Sequence, residues 1–358
     1  MWVTSALLII VIPQRDASRE PGTHEHMALT RWITDGRAED CTVRVRGFRV
    51  QRYALPRNDE FPFKLSRLSM TSVLTNLFDG VAYGMLLFVL ACGLAVTLGL
   101  MNFVNLAHGA FAMTGGYICA VLVNRYGWPF FAGLPLAFVG SALIGALLER
   151  LLYRHLYNRS HLDQVLFSVG LVFMSVAAVD YIMGSSRVFM QLPSALEGQF
   201  DLFGVGIGRY RLMIIVICGL LTVGLQLVLA RTRFGSRLRA AVDDPRAASG
   251  LGINVPQVFA FTFAFGCGLA GLGGALSAEI LGLDPYFPLK FMIYFLIVVT
   301  VGGSSSITGP FLASLLLGIG DVAGKYYVPK VGPFVIYCLM IAILLWRPNG
   351  LFGRPAVR

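Results

Sequence analysis

The sequence predicts an all-α polytopic membrane protein of about eight transmembrane helices (seven to nine), with two helical segments interrupted by Gly and Asn. Three observations predict it. Of the 358 residues, 56% are apolar and only 13% charged, about half the charged share of a soluble domain (~25%), and mean hydropathy is +0.71. Several apolar runs reach about 20 residues, the length at which a helix crosses a hydrocarbon core of ~30 Å. No run alternates as a barrel strand does, and an open sheet would strand its backbone donors in lipid.

Residues 1–69 stand apart as a non-core N-terminal extension. They hold 11 of the 29 Lys and Arg and 8 of the 19 Asp and Glu, show neither helical nor strand periodicity, and are broken by Pro13, Pro21, Pro56 and Pro62. The apolar run 6–12 is too short to span and has no basic region before it, so it makes a poor signal peptide. Two readings stay open: a disordered cytoplasmic tail, or an upstream extension of a misassigned start, with translation beginning at Met70. The Arg-rich content suits the second.

From 81 onward apolar segments follow in order: 81–100, 110–123, 129–148, 165–183, 212–230, 257–281, 291–301, 311–319 and 332–346. Arg150, Arg154 and Arg159 mark the connection 149–163, and Arg231, Arg233, Arg237, Arg239 and Arg246 mark 231–256. Two spans separate these connections, so both lie on one side, which the positive-inside rule makes cytoplasmic. Arg347, Arg354 and Arg358 put the C-terminal tail there too.

Two polar interruptions, NFVNLAHG (102–109) and GGSSSITGP (302–310), sit about 200 residues apart. Irregular backbone at membrane depth is tolerated only where protein or a water-filled cavity covers it, and paired interruptions point to a substrate path. Asn102, Asn105 and His108 offer donors and acceptors for a polar small molecule, while Gly302 and Gly303 bare the backbone, with Ser304 beside them as a further candidate. The competing reading makes both interruptions helix-to-helix turns. The segments after them, 110–123 and 311–319, are short and could be re-entrant.

Other chemistries find little support. His108 has no Cys or carboxylate at ligand spacing, so no metal site is expected. The six cysteines form no CxxC and read as small packing residues. A basic face on a soluble domain is missing, which excludes a nucleic-acid partner. Among carboxylates near membrane depth, Asp79 and Glu279 fall at span ends and Asp180 close to one. Asp321 alone is unexplained, too little for a proton relay.

The polar insert RTRFGSRLRAAVDDPRAASGLGINVP (231–256) has helix punctuation that a merely solvated loop does not need. Arg237 and Arg239 lie in a short helix-prone piece, 236–242. Asp243 or Asp244 then stands before Pro245, an acid N-cap with proline at the first helical position. The second helix runs 245–249, closes at Gly250 and is released by Gly252. Two short helices with an acid-capped junction suit a docking element for a cytoplasmic partner, with Arg246 on its second helix.

At these residues a resemblance enters. FGSRLRAAVDDPRAASGLGINVPQVFAFTFAFGCGLAGLGGAL resembles the cytoplasmic coupling segment, and the span after it, of permease subunits in branched-chain amino acid ABC importers. GLAVTLGLMNFVNLAHGAFAMTGGY is similar to that family's first helix and its break, VTVGGSSSITGPFLASLLLG to its later Gly-rich break, and RPNGLFG to its C-terminal ending. The likeness covers about 70–353 and is closer to the LivH-type than to the LivM-type of the two paired permeases. Ala110 departs from the glutamate that some members carry after His-Gly, and Leu106 from the usual Phe or Ala-like neighbour.

The resemblance implies a transmembrane subunit, 70–358, of a bacterial ABC importer in the inner membrane, with a cytoplasmic C-terminus. Its substrate would be a branched-chain amino acid or a related small polar nitrogen compound such as an amide or urea. Its partners would be a second related permease, two cytoplasmic ATP-binding subunits and a periplasmic substrate-binding protein. The chain itself has no GxxxxGK[ST] motif, so it is expected to bind no cofactor and to leave ATP to its partners. The rival readings are a secondary transporter or channel working without an ATPase, which would want acidic residues mid-membrane, and a membrane enzyme, which would want a catalytic cluster.

Overall fold

A computed structural model describes residues 43–45, 48–50, 70–101, 103, 105–157, 159–202, 205–303 and 307–352. The chain divides into two units, 1–67 and 68–358. The described part of the first is a short antiparallel hairpin, β1 (Val43–Val45) with β2 (Phe48–Val50), pairing Val43 with Val50. This strand pair has no counterpart in the sequence reading of 1–69, because three-residue strands are too short to show a period.

The second unit is helical: α1 (Met70–Met101), α2 (His108–Asn124), α3 (Phe130–Leu151), α4 (His161–Met183), α5 (Arg209–Arg231), α6 (Arg233–Asp243), α7 (Pro245–Gly250), α8 (Val255–Ser277), α9 (Phe287–Gly302), α10 (Thr308–Tyr327) and α11 (Gly332–Trp346). A 3-10 turn, Tyr153–His155, follows α3, and an antiparallel hairpin, β3 (Gln199–Leu202) with β4 (Val205–Gly208), precedes α5. Among the described residues five helices are long and apolar enough to span: α1, α3, α4, α5 and α8.

Two boundaries differ from the sequence expectation by more than four residues, both because polar residues inside a helix were read as its limit. The first helix starts at Met70 rather than at 81 and runs 32 residues, about 48 Å. The helix expected at 311–319 runs 20 residues, from Thr308 to Tyr327, about 30 Å, and carries Asp321 and Lys325 within it. That length removes the argument for a re-entrant segment there.

Fixed contacts define two ends of this bundle. At one, Asp79 of α1 pairs with Arg211 of α5, Asn124 at the end of α2 bonds Phe189 O and Gln191 N, and Asp284 before α9 pairs with Arg187. This is the hairpin end. At the other lie the insert 231–256, the 3-10 turn after α3 and the end of α1. All four described ion pairs lie towards the hairpin end. None of the five arginines of the insert forms an ion pair among the described residues.

The core is organised by α1 and α8. In α1, 83% of the most apolar window is buried, against 17% in α4. Helices α3, α4 and α5 turn Leu143, Leu147, Leu166, Phe173, Met174, Leu220 and Val223 outward, an apolar belt suited to lipid. Small residues let the central helices touch. A Cβ on Gly115 would lie 2.2 Å from Gly271 Cα, so α2 and α8 cross backbone to backbone. Cys92, Cys119, Cys218 and Cys267 are buried free thiols. Thr222 donates to Cys218 O (2.7 Å) and Thr262 to Val258 O (2.7 Å), so these two buried hydroxyls are satisfied along their own helices.

Candidate functional site

The first interruption lies inside the bundle. Helix α1 ends at Met101, Thr97 having bonded back to Gly93 O (3.1 Å) and Leu94 O (3.2 Å), and Phe103 N closes onto Thr97 O (3.2 Å). Asn105, 1% exposed, accepts on Oδ1 from Ala107 N (3.1 Å) and from Tyr153 Oη–H (3.0 Å). The first contact is a local turn that starts α2. Because Ala107 N can only donate, the amide must present its oxygen there. Its Nδ2 has no partner among the described residues.

His108, also buried, donates from Nε2 to Leu90 O (2.9 Å) and meets the Phe295 ring edge-on. Leu90 stands eleven residues before the end of α1, about 16 Å along its axis. Helix α2 therefore begins at mid-depth, not at the rim. Asn102 and Ser304 lie outside the described residues.

The second interruption is tighter. Gly303 caps α9 at φ +86° and donates to Val299 O (2.9 Å). The segment after α11 folds onto it: Gly350 has φ +79°, Leu351 N donates to Val301 O (2.8 Å) and Phe352 N to Gly302 O (3.2 Å). The tail backbone thus serves carbonyls that a helix end leaves unpaired. Gly302 and Gly303 are not brought to His108, whose neighbour Phe295 is seven residues earlier on α9, about 10 Å away.

The insert has the punctuation its sequence announces. Thr232 caps α6 by accepting from Gly235 N (3.3 Å). Of the two aspartates, Asp244 is the cap: its Oδ1 accepts from Arg246 N (2.9 Å) and Ala247 N (3.0 Å), with Pro245 first in α7. Ala241, Ala248 and Val255 form a small apolar cluster with Ile253, Val258 and Phe259 beneath the two helices. Arg237, Asp243, Asp244, Pro245, Arg246 and Gly250 face solvent. Arg239, exposed as well, reaches back to Leu229 O at the end of α5.

Between insert and first break lies a cluster that sequence reasoning missed. Tyr157 Oη–H donates to buried Glu149 Oε1 (3.0 Å), and Phe103 stands edge-on to both Tyr153 and Tyr157. Burial pushes both phenols well above their usual pKa, and for Tyr157 the neighbouring Glu149 carboxylate adds to the shift. The signal was present: Glu149, Tyr153 and Tyr157 recur every fourth residue in a segment read as a basic loop. Among the described residues no group of three or more His, Cys, Asp or Glu could hold a metal ion.

A multi-pass helical bundle with a polar break at mid-depth and an exposed, capped two-helix insert has the parts of a membrane transport subunit. A family model described as "Branched-chain amino acid transport system / permease component" matches residues 76–344, and the chain belongs to that family. It is 29% identical over 302 residues to the high-affinity branched-chain amino acid transport system permease protein LivH of Escherichia coli, covering 79% of this chain and 96% of the relative. It is likewise 29% identical to BraD of Pseudomonas aeruginosa (79% and 97%). The LivM permease protein of Salmonella typhimurium is 27% identical over 323 residues, 83% of this chain and 73% of the relative. No solved structure matches the chain.

Proposed function

We propose that the chain is one of two permease subunits of a bacterial ABC importer that carries branched-chain amino acids, or a related small polar nitrogen compound, across the inner membrane. The family match over 76–344 carries this reading. The insert supports it: two exposed helices with an acid-capped junction, free of internal ion pairs, offer a surface to ATP-binding subunits that hydrolyse ATP in this chain's stead. The arginines of the insert, of 149–163 and of the tail mark the insert end as cytoplasmic, and with it the C-terminus. The hairpin end then receives a periplasmic binding protein.

A second permease of the LivM type completes the pore. Asn105 and His108 line or gate the substrate path at mid-depth, and Gly302 and Gly303 form a second break about 10 Å along α9 from Phe295. Asn102 and Ser304 are path candidates by sequence alone. Residues 1–69 lie outside the permease domain. The test is reconstitution with a second permease, two ATPases and a binding protein, reading uptake of labelled leucine, isoleucine, valine and short amides. ATP-dependent uptake is expected. Uptake by this chain alone, driven by a proton or sodium gradient, overturns the reading.

A further inference from the structure

We propose that Tyr153 and Tyr157 are positioning residues linking the docking insert to the first break, and that the Tyr153–Asn105 hydrogen bond is the contact released when the insert moves. The inference rests on the importer reading above. Tyr153 is fully buried although it stands between Arg150 and Arg154. Its ring packs on Phe263 of α8 (4.7 Å), Phe167 of α4 (5.4 Å) and Phe103 (5.6 Å). Its hydroxyl goes to Asn105 alone among the described residues.

Tyr157, one turn on, meets Phe103 (5.4 Å) and Phe259 (6.2 Å). Phe259 belongs to the cluster on which α6 and α7 sit. An unbroken line of contacts therefore runs from the insert through Phe259, Tyr157 and Phe103 to the break, and Phe263, one turn after Phe259 on α8, packs on Tyr153, whose hydroxyl reaches Asn105. Rigid aromatic packing transmits a displacement of the insert instead of absorbing it.

Coupling also needs an element with two arrangements, and Asn105 supplies one. Its Oδ1 serves two donors while its buried Nδ2 has no partner among the described residues. A buried donor left unpaired is unfavourable. Releasing Tyr153 leaves Oδ1 on Ala107 N and lets the side chain shift about that bond until Nδ2 reaches an acceptor, on the protein or on a substrate carboxylate. The break is thus held in one state by a bond that insert motion can remove.

The test uses the assembled importer and Tyr153→Phe, which keeps the ring and removes only the hydroxyl. Basal ATPase activity should be unchanged, while ATP hydrolysed per substrate imported rises about fivefold, the weight of one hydrogen bond in an equilibrium. Asn105→Ala combined with Tyr153→Phe should be no worse than Asn105→Ala alone. A merely structural role would lower assembly or both rates together. Wild-type stoichiometry in Tyr153→Phe, or independent multiplication of the two effects, overturns the proposal.

Should the variant fail to assemble, amide hydrogen exchange of the wild-type importer decides. Exchange at 103–107 should rise in the ATP-trapped state, and identical exchange in both nucleotide states overturns the link. Wild-type uptake that does not depend on ATP would instead defeat the importer reading on which it rests.

Discussion

Asp321 and Lys325 close an ion pair one turn apart on α10, Oδ2 to Nζ at 2.5 Å, in which the carboxylate is 1% exposed and the lysine 47%. The lysine also lies over the Tyr83 ring of α1, 5.7 Å from its centroid. Lys325 reaches from a watery end of the helix to neutralise a carboxylate held in the bundle. Removing one partner of a fully buried pair costs about 3–5 kcal/mol. With the ammonium half in water, Lys325→Met should cost on the order of 1–3 kcal/mol. Thermal unfolding in detergent reads it, and Asp321→Asn added to Lys325→Met should restore most of the loss. A single variant as stable as the parent refutes the pairing.

Asp244 gives a second prediction, on docking. Its carboxylate satisfies two of the free amides that open α7, and removing such a cap costs about 1 kcal/mol. A six-residue helix has little else to hold it. Asp244→Arg also places a positive charge against the helix N-terminus. The permease should still insert and pair with its partner permease, but copurifying ATPase should fall severalfold, or its hydrolysis should no longer drive uptake. Normal ATPase copurification with normal uptake counts against the docking role.

How legible was this in the sequence? Most spans were readable within a few residues because lipid makes hydrophobicity nearly sufficient: 129–148 against Phe130–Leu151 and 212–230 against Arg209–Arg231. The capped insert was readable because Asp-Pro chemistry is local. What escaped was set by distant partners. The start of α1 carries Thr71, Thr75, Asn76 and Asp79, polar enough to look like a loop until Arg211, far along the chain, pairs with Asp79. Tyr153 looked like a loop residue because nothing near it predicts Phe263 or Asn105 as neighbours. Beyond 319 the last turns of α10 were hidden by Asp321 and Lys325, whose pairing makes them tolerable.

Glu279 yields a pH prediction. It follows α8 at the hairpin end, beside an open depression of about 420 Å³ that it lines with Glu197, Met190, Gln191 and Leu192. Burial raises its pKa above the usual carboxylate value, against a smaller lowering by Arg211. A raised folded-state value favours the protonated form. Its contribution to stability is thus complete below the unfolded pKa of ~4.3 and is lost as pH rises through the folded value. Glu279→Gln should be more stable than the parent at pH 7, with the gap closing towards pH 4. Thermal midpoints across that range check it. A gap that widens on acidification contradicts the sign.

Asn105 is the last case, because its geometry changes how a path role must be tested. Asn105→Leu would strip the acceptor from both Ala107 N and Tyr153 Oη–H, leaving two buried donors at roughly 1–3 kcal/mol each. Lost uptake in that variant would follow whether the break lines a path or only turns the chain. Asn105→Cys in the assembled importer separates the two. Cys92, Cys119, Cys218 and Cys267 are buried and Cys338 is exposed, so Cys41→Ser and Cys338→Ser give a quiet background. If the break lines the path, a small thiol reagent should label the introduced thiol in one nucleotide state at least tenfold faster than in the other, and saturating substrate should slow that labelling. Equal labelling in both states, or none, would assign Asn105 to the turn.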